Sequence, residues 1–388
     1  MGVSLGSIQP VDVVILLILG LVQWRITVLL LRGPQPHLSL RLALFVFNVL
    51  FVLGWILKLI PALGGPLVLG SISLLLRTGT LEYGIAATGM LALYILIRPL
   101  RKRAAAEFNP GRRHLLTTAS NLLLATPVAA LGYGTFIERL NFQVREFDVP
   151  IAGLPQDLDG LRLLHLSDIH LSPFLSEKDF ARVIDAANGL YPHLAVVTGD
   201  FISQRGDPLD ACLRQVARLK ADAGVLGCLG NHEHYAEAED YATAAAARLG
   251  IPILRHQARQ LRFGSAILNV AGVDYQPLFH KSTYLRGAGR MVVPGATNLL
   301  LSHSPDVFPV AAQQGYNLML AGHTHGGQVS VEILDQTINP IRFLTPYVYG
   351  LYRQGSASAY VTRGIGTIGI PARIGAPPEI SLLRLRKV

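Results

Sequence analysis

Between Asp168 and His325, seven side chains able to bind a metal each stand just past an apolar run: Asp168 and His170 in Asp-Ile-His, Asp200 in Gly-Asp, Asn231 in Gly-Asn-His-Glu, His303 in Ser-His, and His323 and His325 in Gly-His-Thr-His. The stretches before them, 161–166, 194–198, 224–229, 299–301 and 318–321, read as short buried strands bounded by turn residues. A chain that repeats this unit is constrained to a strand-and-helix architecture in which the groups past the strand ends collect on one rim of a sheet. Such a rim gathers imidazole nitrogens with carboxylate and amide oxygens, donors suited to zinc, manganese, iron or similar divalent ions, and it contains no thiolate.

Two cations held ~3.5–4 Å apart can clamp a phosphate, acidify a water and stabilise the attacking and leaving oxygens of an in-line displacement. A carboxylate shared between them offsets their repulsion. Asp200 is the candidate, because it stands alone in Thr-Gly-Asp-Phe while the other donors come in groups that can divide between two ions. His232 follows Asn231 directly and is left without a metal in this scheme, so it is the candidate catalytic residue, free to reach a phosphoryl oxygen or to protonate a leaving group.

At these residues the chain resembles the calcineurin-like metallophosphoesterases, whose pattern runs Asp-x-His, Gly-Asp, Gly-Asn-His-Asp/Glu, His and Gly-His-x-His. The likeness continues through Gly322–Gln328 and through a tail from Thr362-Arg363-Gly364-Ile365-Gly366 to Pro371-Ala372-Arg373-Ile374-Gly375-Ala376-Pro377-Pro378-Glu379-Ile380, which is similar to the YkuE-type branch. The resemblance implies two divalent metal ions, with Asp168, His170, Asp200 and His325 around one and Asp200, Asn231, His303 and His323 around the other. It also implies that His232 acts on the transition state. Asp200 is followed by Phe-Ile-Ser-Gln where many relatives carry a second acid, a departure that touches substrate detail rather than the seven ligands.

The first third of the chain has a different composition. Mean hydropathy is +0.40 and only 15% of all residues are charged, and the apolar excess lies in residues 13–31, 42–60, 83–97 and 115–136. Runs near 20 residues are long enough to cross a bilayer as helices. The reading is an N-terminal α-helical transmembrane bundle over residues 1–140, of four or five spans with 66–76 as the uncertain one. An α/β domain of the calcineurin-like four-layer kind follows over 141–388, two mixed β-sheets flanked by helices. Arg98, Arg101, Lys102, Arg103, Arg112 and Arg113 cluster before the last apolar run, which places that loop in the cytoplasm and the following domain on the extracytoplasmic, periplasmic face of an inner membrane. Arg112-Arg113-His114-Leu115-Leu116 also resembles a twin-arginine signal, and either use gives the same sidedness.

Within the second domain, Ser176-Glu-Lys-Asp179 opens a helix with apolar positions at Phe180, Val183, Ile184 and Ala187. Gly250 and Pro252 close an alanine-rich helix over 237–249, and hairpin-like strands run from Gln260 to Val270. Cys212 and Cys228 sit in apolar periodic surroundings and read as buried free thiols. The net charge of +9 suits an anionic membrane surface or an anionic substrate. Nucleic acid is not expected, since no basic stripe is interleaved with aromatic residues.

Two stretches, 275–293 and 340–352, mix apolar and cationic groups and are candidates for a lid. Arg363 and Arg373 are further candidates for phosphate contact. The expected activity is hydrolysis of a phosphodiester or pyrophosphate, in a phosphorylated, lipid-linked or envelope metabolite, by attack of metal-bound hydroxide, with membrane lipid as the further partner. A UDP-2,3-diacylglucosamine pyrophosphatase of lipid A synthesis is the alternative enzyme. A sensor that holds a phosphorylated ligand without turning it over is the alternative of another class.

Overall fold

The computed structural model describes residues 10–32, 38–59, 80, 83–84, 86–96, 110–278, 280–333, 336–369 and 371–388. Two compact units emerge, one of Met1–Thr135 with Gly369–Pro371 and one of Phe136–Ile368 with Ala372–Val388.

The second unit is built on two sheets. The first is made of β1 (Gln143–Ile151), β2 (Arg162–Leu166), β3 (Leu194–Thr198), β4 (Val225–Cys228) and the C-terminal strand Glu379–Lys387, which lies between β1 and β2. It pairs parallel with β1 and antiparallel with β2, and β2, β3 and β4 run parallel. The second sheet contains β5 (Gln257–Phe263), β6 (Ala266–Gly272), β7 (Thr297–Leu301) and β8 (Leu318–Ala321), extended by the strands Gly350–Gln354 and Ala357–Val361. There β6, β7, β8 and Ala357–Val361 are parallel, and the two edge strands are antiparallel to their neighbours.

Period-2 alternation sorts the strand residues between layers. Leu163, Leu194, Val196 and Leu226 of the first sheet meet Leu268, Val270, Leu299, Leu301, Leu318 and Leu320 of the second in one buried core. Their sequence neighbours Leu164, Leu166, Ala195 and Val197 turn the other way, onto the helices Glu177–Asn188, Leu209–Val216 and Glu239–Arg248. On the far side Ala271, Leu300, Met319 and Ala359 pack against Phe308 and Ala311 of the helix Phe308–Gln314. Four layers result, helix, sheet, sheet, helix, with each fully buried leucine or valine contributing roughly 1.5–3 kcal/mol. The expected α/β architecture with two mixed sheets is therefore present.

Local details follow the sequence closely. Ser176 caps the helix Glu177–Asn188 by accepting from the Asp179 N–H at 3.1 Å, and Phe180, Val183, Ile184 and Ala187 are its buried face. The alanine-rich helix is shorter than its composition suggests, Glu239–Arg248. Cys212 and Cys228 are buried and free. Because β2, β3 and β4 run parallel in one sheet and β7 and β8 in the other, the segments after them leave one edge of each sheet, and every ligand candidate follows one of these strands.

The N-terminal unit corrects the membrane reading. Among the described residues no helix is long and apolar enough to cross a membrane, so the expected transmembrane bundle over 1–140 is withdrawn. The helices Pro10–Leu30, Leu38–Leu59 and Pro110–Phe136 are present. Polar residues enter each of them: Gln23, Arg25 and Thr27, then Arg41 and Asn48, then Arg112 and Arg113, the last helix also carrying Pro127 in its interior. Some of these are turned inward. The Gln23 amide donates to Asn48 Oδ1 at 2.7 Å, Asn48 donates to Thr27 Oγ1 at 3.2 Å, and Tyr83 donates its hydroxyl to Gln23 Oε1 at 2.6 Å. Apolar composition counts residues along the chain and overlooks such a network. The candidate span at 66–76 and the cationic residues 98–103 lie outside the described residues.

Candidate metal centre

The turn after β2 carries Asp168 and His170, the turn after β3 carries Asp200, and the short helix Asn231–Tyr235 after β4 begins with Asn231. From the second sheet, His303 follows β7, and His323 and His325 follow β8. All seven ligand candidates converge. His170 Nε2 lies 3.2 Å from His325 Nε2 and 3.5 Å from Asp200 Oδ2, and His325 Nε2 lies 3.4 Å from Asp168 Oδ1. On the other side His303 Nε2 is 3.1 Å from Asp200 Oδ2, 3.0 Å from Asn231 Oδ1 and 3.1 Å from His323 Nδ1. Three groups of donors have atoms within 4.8 Å of one another: Asp168, His170 and His325; His170, Asp200 and His232; and Asp200, His303 and His323. Asp200 stands between the first and last of these sets.

The backbone is bent to make this possible. Ten non-glycine residues have positive φ among those described, and five of them are Asp168 (φ 51°), His170 (49°), Asp200 (56°), His323 (75°) and His325 (52°). Left-handed backbone costs an L-residue roughly 1–2 kcal/mol each, so half of this strain is concentrated where five donors must turn inward at once. Glycines admit the close approaches that remain. A Cβ on Gly230 would stand 2.1 Å from Asp200 Oδ1, and one on Gly322 would stand 2.1 Å from Asp168 Oδ2.

Glu233 was passed over at the sequence level and proves to be the brace of this rim. Fully buried, its carboxylate accepts from the backbone N–H groups of Asp200 (2.9 Å), Phe201 (2.8 Å) and Gly230 (2.9 Å), tying the turn after β3 to the turn after β4. Its place three residues after Gly230, the capping-box position of a helix start, is the signal that could have found it. Asp168 accepts from the His323 N–H at 2.9 Å, and Asp200 Oδ1 accepts from the His232 N–H at 2.9 Å, so both carboxylates are also oriented by backbone.

Electrostatically the rim calls for positive charge. Burial, reinforced by Asp200, lifts Asp168 to about 6 and Glu233 to about 7. Burial disfavours protonation of His303, yet Asp200 and Asp168 outweigh it and raise this imidazole to about 10. Asp200 itself, despite burial, is held well below the ordinary carboxylate range by His303 and His170. Burial drives His170 down to about 3 and His323 to about 4, leaving their ring nitrogens as neutral donors of lone pairs. A dry cluster of two carboxylates, an amide oxygen and imidazoles, with no thiolate, fits hard or borderline divalent cations, whose charge would take the place of the proton on His303.

His232 adjoins the ligand candidates, with a ring nitrogen within 4.8 Å of donor atoms of His170 and Asp200. Its Nδ1 lies 2.5 Å from the Ser203 carbonyl, so Nδ1–H donates there and Nε2 is the free ring atom; the ring packs edge-on to His170 at 4.8 Å. Three further histidines have ordinary roles: His165 Nε2 meets Thr198 Oγ1 at 2.8 Å, His193 accepts from the Arg162 N–H, and His234 pairs at the surface with Glu239.

The two arginines of the tail part company. Arg373 is completely buried and its guanidinium donates to the carbonyls of Gly366, His325, Ala376, Arg363 and Gly364, which leaves it nothing for a phosphate. This corrects its candidacy as a phosphate contact; it holds the tail against the His325 turn. Arg363 is half-buried and stacks over the Tyr349 ring at 3.9 Å. The candidate lids divide as well. Tyr284 and Leu285 belong to the core outside the second sheet, whereas Tyr275 reaches the His323 ring at 5.9 Å and Phe343 and Leu344 are exposed.

Comparison with known proteins agrees with this geometry. Residues 161–327 match the model of the calcineurin-like phosphoesterases. The metallophosphoesterase YkuE of Bacillus subtilis is 31% identical over 290 residues, covering 71% of this chain and 98% of that protein. A transmembrane protein with metallophosphoesterase domain from Danio rerio is 30% identical over 281 residues, 68% of this chain and 62% of its own. A metallophosphoesterase of Campylobacter jejuni, Cj0846, is 29% identical over 252 residues, 63% of each. With its strand-end donors and this kinship, the chain belongs to the calcineurin-like phosphoesterase family and is a phosphoester hydrolase.

Proposed function

We propose that the protein hydrolyses a phosphodiester or pyrophosphate bond with a pair of divalent cations held by Asp168, His170, Asp200 and His325 on one side and by Asp200, Asn231, His303 and His323 on the other. The observation that carries this reading is the position of Asp200, whose carboxylate is within 3.5 Å of His170 Nε2 and 3.1 Å of His303 Nε2, one from each set. Divalent cations at such a site supply charge that polarises phosphoryl oxygens and acidifies a water. The protein's own groups do the rest. Glu233 and the His232 N–H fix the Asp200 carboxylate, so the site pays no reorganisation when substrate arrives. As an imidazolium, His232 keeps Nδ1–H on the Ser203 carbonyl and presents Nε2–H to donate to a phosphoryl oxygen or to pass that proton to the leaving oxygen, which returns the ring to its neutral form.

A sensor that only retains a phosphorylated ligand has no use for a ring aimed in this way, and the His232 geometry therefore favours turnover. The test is hydrolysis of bis-p-nitrophenyl phosphate with added manganese. Asp200→Asn should lower turnover by at least ~10²-fold, and His232→Asn by ~10²–10⁴-fold with metal content preserved. Equal turnover by wild type and Asp200→Asn would refute the proposal.

A further inference from the structure

We propose that Arg363, stacked on Tyr349, is a specificity-determining residue that receives a second anionic group of the substrate beside the phosphorus under attack. The preferred substrate class would then be pyrophosphate-linked compounds rather than simple diesters. The inference rests on the phosphohydrolase reading above.

Three observations converge on it. The first is placement. Arg363 lies where its stem runs over Gly326, whose built Cβ would stand 2.7 Å from Arg363 Cγ, and Gly326 directly follows the ligand candidate His325. The next residue, Gly364, is equally close to the other side of the site, since a Cβ there would stand 2.6 Å from Asp168 Cβ. The arginine thus emerges from the wall that holds two ligand candidates. The second is commitment. Arg373, ten residues on, spends its guanidinium on five carbonyls, whereas the Arg363 guanidinium forms no hydrogen bond or ion pair among the described residues and is held by the Tyr349 ring alone. Glu138 feels the positive charge of both arginines but makes no ion pair with Arg363.

The third is geometry. A guanidinium seated over an aromatic ring, here with its central carbon 3.9 Å from the Tyr349 centroid, is held by the ring while N–H groups remain available for bidentate contact with a phosphate. Tyr349 is itself held by the loop it belongs to: its backbone N–H and that of Val348 donate to the Tyr352 hydroxyl, and Thr324, in the His323–His325 turn, donates to the Val348 carbonyl. The stacking partner is therefore tied to the ligand turn. Adjacent phosphoryl groups of a pyrophosphate share a bridging oxygen, so when one is held at the cations the other must lie immediately beside them.

The test uses the full chain with excess manganese and compares AMP with ADP, which differ by one phosphoryl group, both as ligands by calorimetry and as inhibitors of bis-p-nitrophenyl phosphate hydrolysis. Wild type should bind ADP at least about tenfold more tightly than AMP, and Arg363→Ala should bring the two within about twofold. Arg363→Lys, which keeps charge but not the planar fork, should leave an intermediate gap. Tyr349→Leu should narrow it about threefold, and it carries the measurement together with Arg363→Lys should Arg363→Ala fail to melt cooperatively. No preference for ADP in the wild type, or a preference that survives in Arg363→Ala, overturns the assignment. Wild type that neither binds these nucleotides nor hydrolyses the diester removes the phosphohydrolase reading itself, and this inference with it.

Discussion

Replacing Gly230 by alanine isolates the geometry on which the metal centre depends. At φ −103° and ψ −171° the backbone of Gly230 is open to any L-residue, so the substitution carries no conformational penalty of its own. The added methyl, however, would stand 2.1 Å from Asp200 Oδ1, 2.6 Å from the Asp200 nitrogen and 2.8 Å from its Cγ. Relief requires the carboxylate or the turn after β3 to retreat by about 1 Å, and two restraints oppose that: Asp200 Oδ1 accepts from the His232 N–H, and Glu233 accepts from the Asp200 and Gly230 N–H groups. Overpacking of this kind costs ~1–3 kcal/mol of stability. The functional cost is larger, because a 1 Å displacement of a catalytic constellation loses on the order of 10²-fold in rate.

The informative comparison is Gly224→Ala. Gly224 precedes β4, has φ +83°, and a Cβ there meets nothing within 4 Å, so alanine pays roughly 1–2 kcal/mol of backbone strain without touching the rim. The two variants should lose similar melting temperature. Gly230→Ala should lose ~10²-fold in kcat on bis-p-nitrophenyl phosphate and bind manganese ~10–100-fold more weakly, while Gly224→Ala keeps wild-type turnover. A Gly230→Ala enzyme within threefold of wild-type kcat would refute the claim that this glycine holds Asp200 in register.

Three further outcomes are expected. Chelation should abolish diester hydrolysis, and returning manganese to about 100 times its Kd should restore it while stabilising the fold by ~2.7 kcal/mol; full activity after exhaustive chelation would contradict a metal-dependent site. His165 is buried, with a folded pKa lowered to about 3 by desolvation against an ordinary 6.5, so the unfolded chain binds the proton first as pH falls and stability is lost from 6.5 downward. Between pH 6.5 and 4.5 this amounts to about 2.3 kcal/mol that His165→Leu should not lose, read as converging urea midpoints; parallel curves would count against it. Arg373→Met should strand five buried carbonyls and cost at least ~3 kcal/mol, with Arg373→Lys recovering part of it; an unchanged melting temperature would show that this cation is dispensable.

The metal-capable groups could be read in the sequence because each combines two local signals, a short apolar run and a metal-capable residue just past it. Parallel strands convert that repeated local pattern into one rim without further instruction, which is why Asp168, Asp200, Asn231, His303 and His323 could be grouped before any distance was known. The same logic sorted Leu163 from Leu164 and Val196 from Val197 into opposite layers, since alternation is a property of neighbouring residues. Glu233 was less visible because its role is to satisfy backbone N–H groups of a turn more than thirty residues away, and nothing in the intervening sequence marks those groups as needing a partner.

Arg363 and Arg373 show where composition stops informing. Both stand in a glycine-rich tail, both carry the same charge, and both were equal candidates for phosphate. What separates them is burial: a guanidinium out of water must be paid in hydrogen bonds, and Arg373 finds its carbonyls in Arg363, Gly364, Gly366, Ala376 and His325, three of them in the loop that carries Arg363. The cation that is consumed thereby fixes the loop of the cation that is left without a hydrogen bond among the described residues. The apolar N-terminal third shows the converse, for there Gln23, Thr27 and Asn48 are few in a long apolar run and are noticed only because they face each other. In both regions the decisive fact is whether a polar group meets its partner across the fold, a quantity that a one-dimensional pattern does not contain.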